Sequence, residues 1–347
     1  MAVRNLASRL RTQGRWNLLI PLVLLLVFGL FPILVDYSPY YISLMITVGM
    51  YALLAMGFVL LLRTGLYSLA IAAFWGVGAY SSILLVMRAH LSFWLALPLS
   101  AMIAAVLALF FGVLFVRNPG FSFAIMTMLI GLLFVVFVGS TEWLGGYAGI
   151  LNIPAPDPIP IPFLPPIEFV SNTAYYYLLL FLFMVVVLVF RAFYASSIGR
   201  AWTAIGLNSR LAASLGVNVF RYRLLAFVVS CAAAGLVGSF FAHFLGCMQP
   251  GIFDIFKTIN IQVCAILGGI SFPFLGPLVG SIILVFFPRL IGVTGELEPI
   301  ITGAVLILLV IFLPSGILSL LGMRASATDG IRSVAKIGRR MKSLVSR

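Results

Sequence analysis

The stretch that decides the fold is YISLMITVGMYALLAMGFVLLL, residues 41–62, which contains no charged side chain. A helix of about twenty residues, rising about 1.5 Å per residue, crosses the roughly 30 Å hydrocarbon core of a bilayer. Similar runs recur along the chain, and hydrophobic residues make up 63% of its 347 residues, against 8% charged. This composition excludes a soluble globular domain and predicts an all-α, polytopic helical membrane protein.

The apolar runs predict about nine to ten membrane segments. The eighth run, 259–290, is compound, because glycine and proline between positions 268 and 277 divide it into two pieces that are each short for a straight span. Whether this broken region is re-entrant or forms two spans stays open at this point. The expected segments are 16–35, 41–62, 66–87, 92–116, 121–139, 173–193, 222–247, the compound 259–290, and 299–321.

The basic residues predict the orientation of these segments. A net charge of +13 would suggest nucleic acid in a soluble chain, but here the basic residues lie between and beyond the apolar runs. With two elements in 259–290 and a cytoplasmic amino-terminal tail at 1–15, 18 of the 21 Lys and Arg residues fall on the cytoplasmic side. The carboxyl-terminal tail, 322–347, is then cytoplasmic as well. No nucleic-acid partner is expected.

A polar, basic insert at 194–220 separates two of the long runs. Ile198, Trp202 and Ile205 fall at i, i+4 and i+7 and predict a short amphipathic helix. Asn208 is a suitable amino-terminal cap for a second short helix, and Gly216 stands where a left-handed residue would end it. The alternative is a solvated loop, because isolated helices of this length are marginal in water.

The connection at 140–172 is rich in glycine and then in proline. Such a proline density disfavours helix and favours a stiff, extended strap. The segment contains no basic residue, which agrees with an external position. Two interpretations stand side by side, a strap that covers the external mouth or contacts a partner, and a simple linker.

Motifs of enzymes and energy-coupling proteins are missing from the sequence. No G-x-x-x-x-G-K-[ST] phosphate loop, no HExxH and no G-x-S-x-G occurs, and the three cysteines have no CxxC spacing. We therefore expect no enzyme activity, no ATP hydrolysis by this chain, no metal site and no bound cofactor. His243 lies within an apolar run, where a single polar side chain is more often a hydrogen-bonded packing residue than a proton relay, and both roles stay open at this point.

Small residues form several seams within the apolar runs. They allow helix backbones to approach closely in lipid, and breaks in helices can also expose backbone groups to a substrate. Both interpretations stay open for the broken region. The candidate pathway residues are Ser68, Phe74, Gly76, Gly78, Gly268, Gly269, Gly276 and Pro277.

Four stretches, in this order and spacing, resemble the LivM-type permease subunit of bacterial branched-chain amino acid ABC importers. They are GLYSLAIAAFWGVGAY at 65–80, LGGYAGI at 144–150, IGRAWTAI at 198–205 with LAASLGVN at 211–218, and ILGGI at 266–270 with LGP at 275–277. The sequence LPSGI follows at 313–317, near the end of the last apolar run, and the resemblance covers about residues 45–321.

The resemblance implies the architecture of an ABC importer permease in the bacterial inner membrane. It implies four partners: a second, LivH-like permease, two cytoplasmic ATPase subunits and an external solute-binding protein. In the family, the cytoplasmic loop matching 196–218 docks on the ATPase. The residues it assigns to this coupling are Ile198, Gly199, Arg200, Trp202, Ile205, Leu211, Ala212, Leu215 and Gly216, with Arg210 at the rim.

The chain departs from the family pattern at a few positions. Family members commonly have acidic residues where Leu207, Ser209 and Ala213 stand, and a histidine where Ile71 stands. The expected function is translocation of branched-chain or related amino acids. The alternatives are urea or short amides in the same family, or a self-sufficient secondary carrier or channel.

Overall fold

A computed structural model of the chain describes residues 38–158 and 171–290, together with positions 28, 29, 31, 32, 169, 303, 316 and 317. The two main ranges contain ten α-helices. Their bounds are α1 Pro39–Leu62, α2 Ile71–Met87, α3 Phe93–Phe115, α4 Phe121–Ser140, α5 Asn172–Ala195, α6 Ser197–Leu207, α7 Ser209–Ser214, α8 Val219–Leu245, α9 Ile255–Gly268 and α10 Leu275–Leu290.

Six helical segments in the described ranges are long and apolar enough to cross a membrane. They are α1, α3, α4, α5, α8 and Pro250–Gly268, which joins a 3-10 turn to α9. Ile71–Met87 and Leu275–Arg289 are shorter apolar helices. The protein is therefore an all-α, integral membrane protein, as predicted.

Within the described ranges, most predicted helix bounds agree with the observed ones to within about two residues, but α8 and α9 begin three and four residues earlier than predicted and α2 begins five residues later. The run 66–87 predicted a helix from residue 66, whereas α2 begins at Ile71 and residues 66–70 are irregular. Leu66 and Ala70 are nevertheless buried. The prediction was wrong here because apolar residues indicate burial and do not by themselves set the backbone conformation.

The core lies where α1, α2 and α8 meet, while α3, α4 and α5 present apolar side chains outward. Small residues permit the close approach of α2 and α8. A Cβ added at Gly78 would collide with the backbone of Gly235, and one at Gly238 would collide with the carbonyl of Trp75. The seam at 72–79 thus serves helix packing.

The predicted break in 259–290 is confirmed. Helix α9 ends at Gly268, Gly269 has a positive φ of 107°, and α10 begins at Leu275. The two helices pack closely on each other, since a Cβ at Gly268 would strike the carbonyl of Gly276, and one at Gly276 would strike the carbonyl of Gly269 just after α9. The glycines of the break therefore hold α9 and α10 together as a pair.

Contacts at the helix termini define two ends of the bundle. At the first, the α6–α7 end, Arg117 lies over the ring of Phe220 at 5.6 Å, and Arg63 lies beside α5 and α6. At the second, the strap end, Arg88 stacks on Trp143 at 4.0 Å and Asp157 accepts a hydrogen bond from the backbone of α3. The predicted strap lay within 140–172, and from here on the term means residues 149–158 of that connection. The α6–α7 end also contains Arg200, Arg210, Arg221 and Arg223. These arginines were predicted to lie on the same side of the membrane.

Several predicted features lie outside the described residues. The segment 16–35 is described at only four positions, which are helical, and 299–321 at three. The tails 1–15 and 322–347 and the proline-rich residues 159–168 also fall outside them.

Candidate functional site

The two short helices at the α6–α7 end form as their sequence predicts. The hydroxyl of Ser196 accepts a hydrogen bond from the backbone N–H of Ile198 and caps α6. Oδ1 of Asn208 accepts from the N–H groups of Arg210 and Leu211, each at 3.1 Å, and caps α7. Gly216 follows α7 with a φ of 85°, a conformation that glycine adopts readily. The predicted cap and stop residues are confirmed.

The apolar line of α6 faces the chain itself. Trp202 and Ile205 are buried, and Ile198 is partly buried. The indole Nε1 of Trp202 donates a hydrogen bond to the carbonyl of Tyr222 at 2.8 Å, and its ring lies 5.7 Å from that of Phe193. The tryptophan thus fastens α6 to the end of α5 and the start of α8.

Close backbone contacts hold α6 and α7 further. A Cβ at Gly199 would collide with the backbone of Tyr194, and Ala212 of α7 is buried. These contacts explain why small residues occupy both positions. The helix pair is therefore a rigid part of the fold, which excludes the alternative of a solvated loop.

A second apolar face of the same helices points away from the bundle. Leu207, Leu211 and Leu215 are 64%, 60% and 77% exposed. Arg200 and Arg210 of the same helices are exposed as well. The predicted coupling residues are thus divided, with Trp202 and Ile205 facing inward and Leu211, Leu215 and the two arginines facing outward. Leu207, outside the predicted set, joins the exposed face.

Arg63 links the helix pair to two other elements. A Cβ at Gly206 of α6 would collide with the carbonyl of Arg63, so the two backbones touch. The guanidinium of Arg63 lies 4.8 Å from the ring centroid of Tyr194 and donates to the carbonyl of Ser271 at 3.5 Å. Arg63 therefore contacts α6, α5 and the turn between α9 and α10.

The segment directly after Arg63 is also tied to α8. Nε of the buried Arg223 donates to the carbonyl of Thr64 at 3.0 Å. The following Gly65 has a φ of 74° and turns the chain into the irregular segment 66–70. The start of α8 and the entry to this segment are thus fixed to each other.

A polar cluster surrounds the irregular segment. The hydroxyl of Tyr67 donates to Oε1 of Gln262 at 2.6 Å, and Nε2 of Gln262 donates to the carbonyl of Ser68 at 3.0 Å. Thr127 Oγ1 accepts from Leu69 N–H at 2.9 Å. Because these side chains replace helical hydrogen bonds, the non-helical backbone is satisfied inside the bundle. Tyr67 is 39% exposed, so the cluster reaches the surface of the chain.

The predicted pathway residues differ in what they contact, since some lie against side chains and the others against the backbone of a neighbouring element. Ser68 belongs to the polar cluster and Phe74 packs edge-on against Phe227 at 5.6 Å. Gly76 lies against the rings of Phe134 and Phe253. The remaining glycines contact neighbouring backbone. All of these positions, Ser68, Phe74, Gly76, Gly78, Gly268, Gly269 and Gly276, are buried against other parts of the chain, and Pro277 is buried in α10.

His243 connects the strap end of α8 to the strap. Its Nδ1 donates to the carbonyl of Pro154 at 2.7 Å, and its Nε2 accepts from the hydroxyl of Ser82 at 3.0 Å, with Ser239 donating to Ser82 at 2.8 Å. Both ring nitrogens are used in a neutral imidazole. These bonds agree with a hydrogen-bonded packing residue, and the strap interpretation gains support over a simple linker.

Single-sequence reasoning missed Arg63, Tyr67 and Gln262. Tyr67 lies within the glycine-flanked stretch 65–80, but its partner is 195 residues away along the chain. Such long-range pairing leaves no local pattern. In the described part of the chain, no group of three or more His, Cys, Asp or Glu side chains is placed to hold a metal ion.

The architecture defines the chain as a polytopic membrane protein with a packed pair of short helices, partly exposed, at one end of its bundle. A family model described as "Branched-chain amino acid transport system / permease component" matches residues 40–313. The chain belongs to this family.

Individual relatives agree with the family. The chain is 28% identical over 273 residues to the "High-affinity branched-chain amino acid transport system permease protein LivM" of Salmonella typhimurium and 28% identical over 280 residues to that of Escherichia coli K12. Each match covers 74% of this chain and 64% of the relative's length. The LivH permease protein of Escherichia coli K12 is 32% identical over 126 residues, 35% of this chain and 40% of LivH. No solved structure matches the chain.

Proposed function

We propose that this chain is one of two transmembrane subunits of an ATP-driven importer of branched-chain or related amino acids in a bacterial inner membrane. Its partners would be a LivH-like permease, two ATPase subunits and an external solute-binding protein. Both termini would lie in the cytoplasm, on the side of the α6–α7 end. The family and the LivM and LivH relatives support this assignment.

The observation that carries the proposal is the exposed leucine face of α6 and α7. These helices are too short to span a membrane, and their inward side is already occupied by Trp202 and Ile205. Leu207, Leu211 and Leu215 are then apolar residues exposed on a packed support, and Arg200 and Arg210 of the same helices are exposed as well. Apolar side chains exposed together with arginines are typical of a protein contact.

Movement at this face has a direct route into the bundle. Gly206 touches the backbone of Arg63, which contacts Ser271 in the turn between α9 and α10. Arg63 also directly precedes the segment that carries Tyr67 and Ser68. A partner that displaces α6 would therefore shift the polar cluster and the α9–α10 pair together.

The pathway itself would be formed with the second permease. A hydrophobic amino acid is a zwitterion without net charge, so a path of backbone groups, hydroxyls and aromatic rings can accept it. The cluster of Tyr67, Ser68 and Gln262 provides such groups and reaches the surface of this chain at Tyr67.

Co-purification with the two ATPase subunits tests the proposal. Leu211→Glu places a charge in the apolar face and should abolish ATPase binding while leaving the permease folded, because Leu211 is already exposed. Ser197→Glu is the matched control. It adds the same charge at an exposed position ten residues before Leu207, about 15 Å along the helix. Equal ATPase recovery with both variants would contradict the proposed contact.

Reconstitution separates this function from a secondary carrier. The complete set of subunits with ATP and the binding protein should accumulate leucine in proteoliposomes, and this chain alone should not. Uptake by this chain alone under an ion gradient would refute the proposal. A complex that transports urea or short amides and excludes leucine would leave the machinery intact and overturn only the substrate.

A further inference from the structure

An open cleft of about 450 Å³ lies at the strap end of the bundle. Its size is within the range of small-ligand pockets. It is formed where the last turns of α2 meet the turn after α4 and the motif LGGYAGI at 144–150, which the proposed coupling mechanism does not use. Its lining includes Ile83, Leu84, Arg88, Glu142, Trp143 and Leu151.

The glycines of the motif shape one wall of the cleft. Gly145 and Gly149 have φ values of 86° and 82°, and a Cβ at Gly149 would collide with the carbonyl of Met248. Ile150 and Met248 exchange two backbone hydrogen bonds of 2.8 and 2.9 Å. This pairing holds the wall against the segment that follows α8. It also satisfies both the N–H and the carbonyl of Ile150 within the chain.

The cleft carries one positive and one negative side chain. The guanidinium of Arg88 stacks on the ring of Trp143 at 4.0 Å and donates through Nη2 to the Trp143 carbonyl, which fixes its position and leaves its other N–H groups open to a ligand. Glu142 precedes Trp143 and is exposed. Within the described ranges, neither charge forms an ion pair.

We propose that this cleft binds an apolar α-amino acid as its zwitterion. The α-carboxylate contacts Arg88, whose planar guanidinium suits a carboxylate, and the α-ammonium contacts Glu142. The apolar side chain lies against Ile83, Leu84 and Leu151. That the cleft serves as an entry site for transport rests on the proposed function. That it binds an amino acid does not depend on the proposed function.

A zwitterionic lipid headgroup has the same combination of anionic and ammonium groups. Arg88 and Trp143 are also residue types found at membrane interfaces. The two sources differ in what competes for the cleft. A phosphatidylethanolamine headgroup would displace leucine, whereas phosphatidylglycerol has no ammonium group and would not occupy both charges.

Equilibrium binding of radiolabelled L-leucine to the purified chain in nanodiscs tests the site. L-leucinamide lacks the carboxylate and isocaproate lacks the ammonium, so each should compete about fivefold less well than leucine, as expected for one exposed charge pair. Arg88→Gln should remove the difference between leucine and leucinamide. Glu142→Gln should remove the difference between leucine and isocaproate.

Arg117→Gln is the matched control, because Arg117 is also an exposed arginine over an aromatic ring, at the opposite end of the bundle. It should leave all three ligands unchanged. Equal leucine binding in phosphatidylglycerol and phosphatidylethanolamine nanodiscs supports the amino acid as the ligand of the cleft. Loss of leucine binding in phosphatidylethanolamine nanodiscs assigns the cleft to the lipid headgroup and overturns the proposal. Absence of saturable binding, or unchanged selectivity in Arg88→Gln, also overturns it. If the cleft fails one of these binding tests while the complete complex still takes up leucine, the cleft proposal is overturned and the proposed importer function is not.

Discussion

At the scale of single residues, Trp202 shows what a helical pattern specifies. Its spacing with Ile198 and Ile205 correctly placed it on the apolar face of a short helix. The same spacing contained no information on which surface that face would contact. The structure turns it toward Tyr222 and Phe193 of its own chain, and the exposed apolar residues of the helix pair are Leu207, Leu211 and Leu215 instead.

The burial of Trp202 leads to a stability prediction. Trp202→Ala should lower the free energy of unfolding by about 3–5 kcal/mol, because a fully buried indole leaves a cavity and the Tyr222 carbonyl loses its donor. Thermal unfolding of the detergent-purified chain, followed by the loss of the monodisperse peak, measures this. Leu215→Ala, at an exposed position of the same helix pair, should change the melting temperature little. Equal melting temperatures for the two variants would show that α6 is not fastened by its tryptophan.

The polar cluster shows the limit of residue-level prediction. The residue types of Tyr67 and Gln262 allow many partners, and only the fold brings them to 2.6 Å. The same holds for Arg223 and Thr64, which are 159 residues apart. The sequence made Ser68 a candidate pathway residue, but it could not indicate which side chains would surround it.

At the scale of secondary-structure elements, long apolar runs predicted helices well, because a chain in lipid must satisfy its backbone within each segment. The exception at residues 66–70 has a specific cause. Thr127 and Thr258 accept hydrogen bonds from the N–H groups of Leu69 and Ala72, which frees this backbone from helical pairing. Those threonines lie in other helices, so the start of α2 depends on tertiary contacts.

Two helix glycines with different surroundings provide a matched test of the α2–α8 crossing. Gly131→Ala in α4 should be neutral or stabilise by up to about 1 kcal/mol, because alanine favours helix and the nearest described atom is 3.7 Å from the new Cβ. Gly78→Ala should destabilise by about 1–3 kcal/mol, because its Cβ would collide with Gly235. Melting temperatures of both variants give the comparison. Equal or greater stability of Gly78→Ala would show that α2 and α8 are not held at this glycine contact.

At the scale of the whole molecule, the charge distribution predicted which loops share an end. Arg63, Arg117 and the residues of the helix pair belong to one end, and Arg88, Glu142 and Asp157 to the other. Such a prediction succeeds because it sums many weak preferences along the chain. The position of a cleft or a docking face depends instead on a few contacts between distant segments, and these are encoded only by the complete fold.

The assignment of the α6–α7 end to the cytoplasm can be measured by cysteine labelling in cells. Ala213 in α7 and Ala155 in the strap are both exposed and lie at opposite ends, so Ala→Cys at each position gives matched variants. The native Cys231 and Cys264 are buried, and Cys247→Ser removes the partly exposed one. A membrane-impermeant maleimide should label Ala155→Cys once the outer membrane is opened, and Ala213→Cys only after the inner membrane is disrupted. The excess of basic residues at the α6–α7 end is the physical reason, because such loops stay on the cytoplasmic side. Labelling of both variants from the same side would contradict the two-ended arrangement, and the reverse order would invert the orientation.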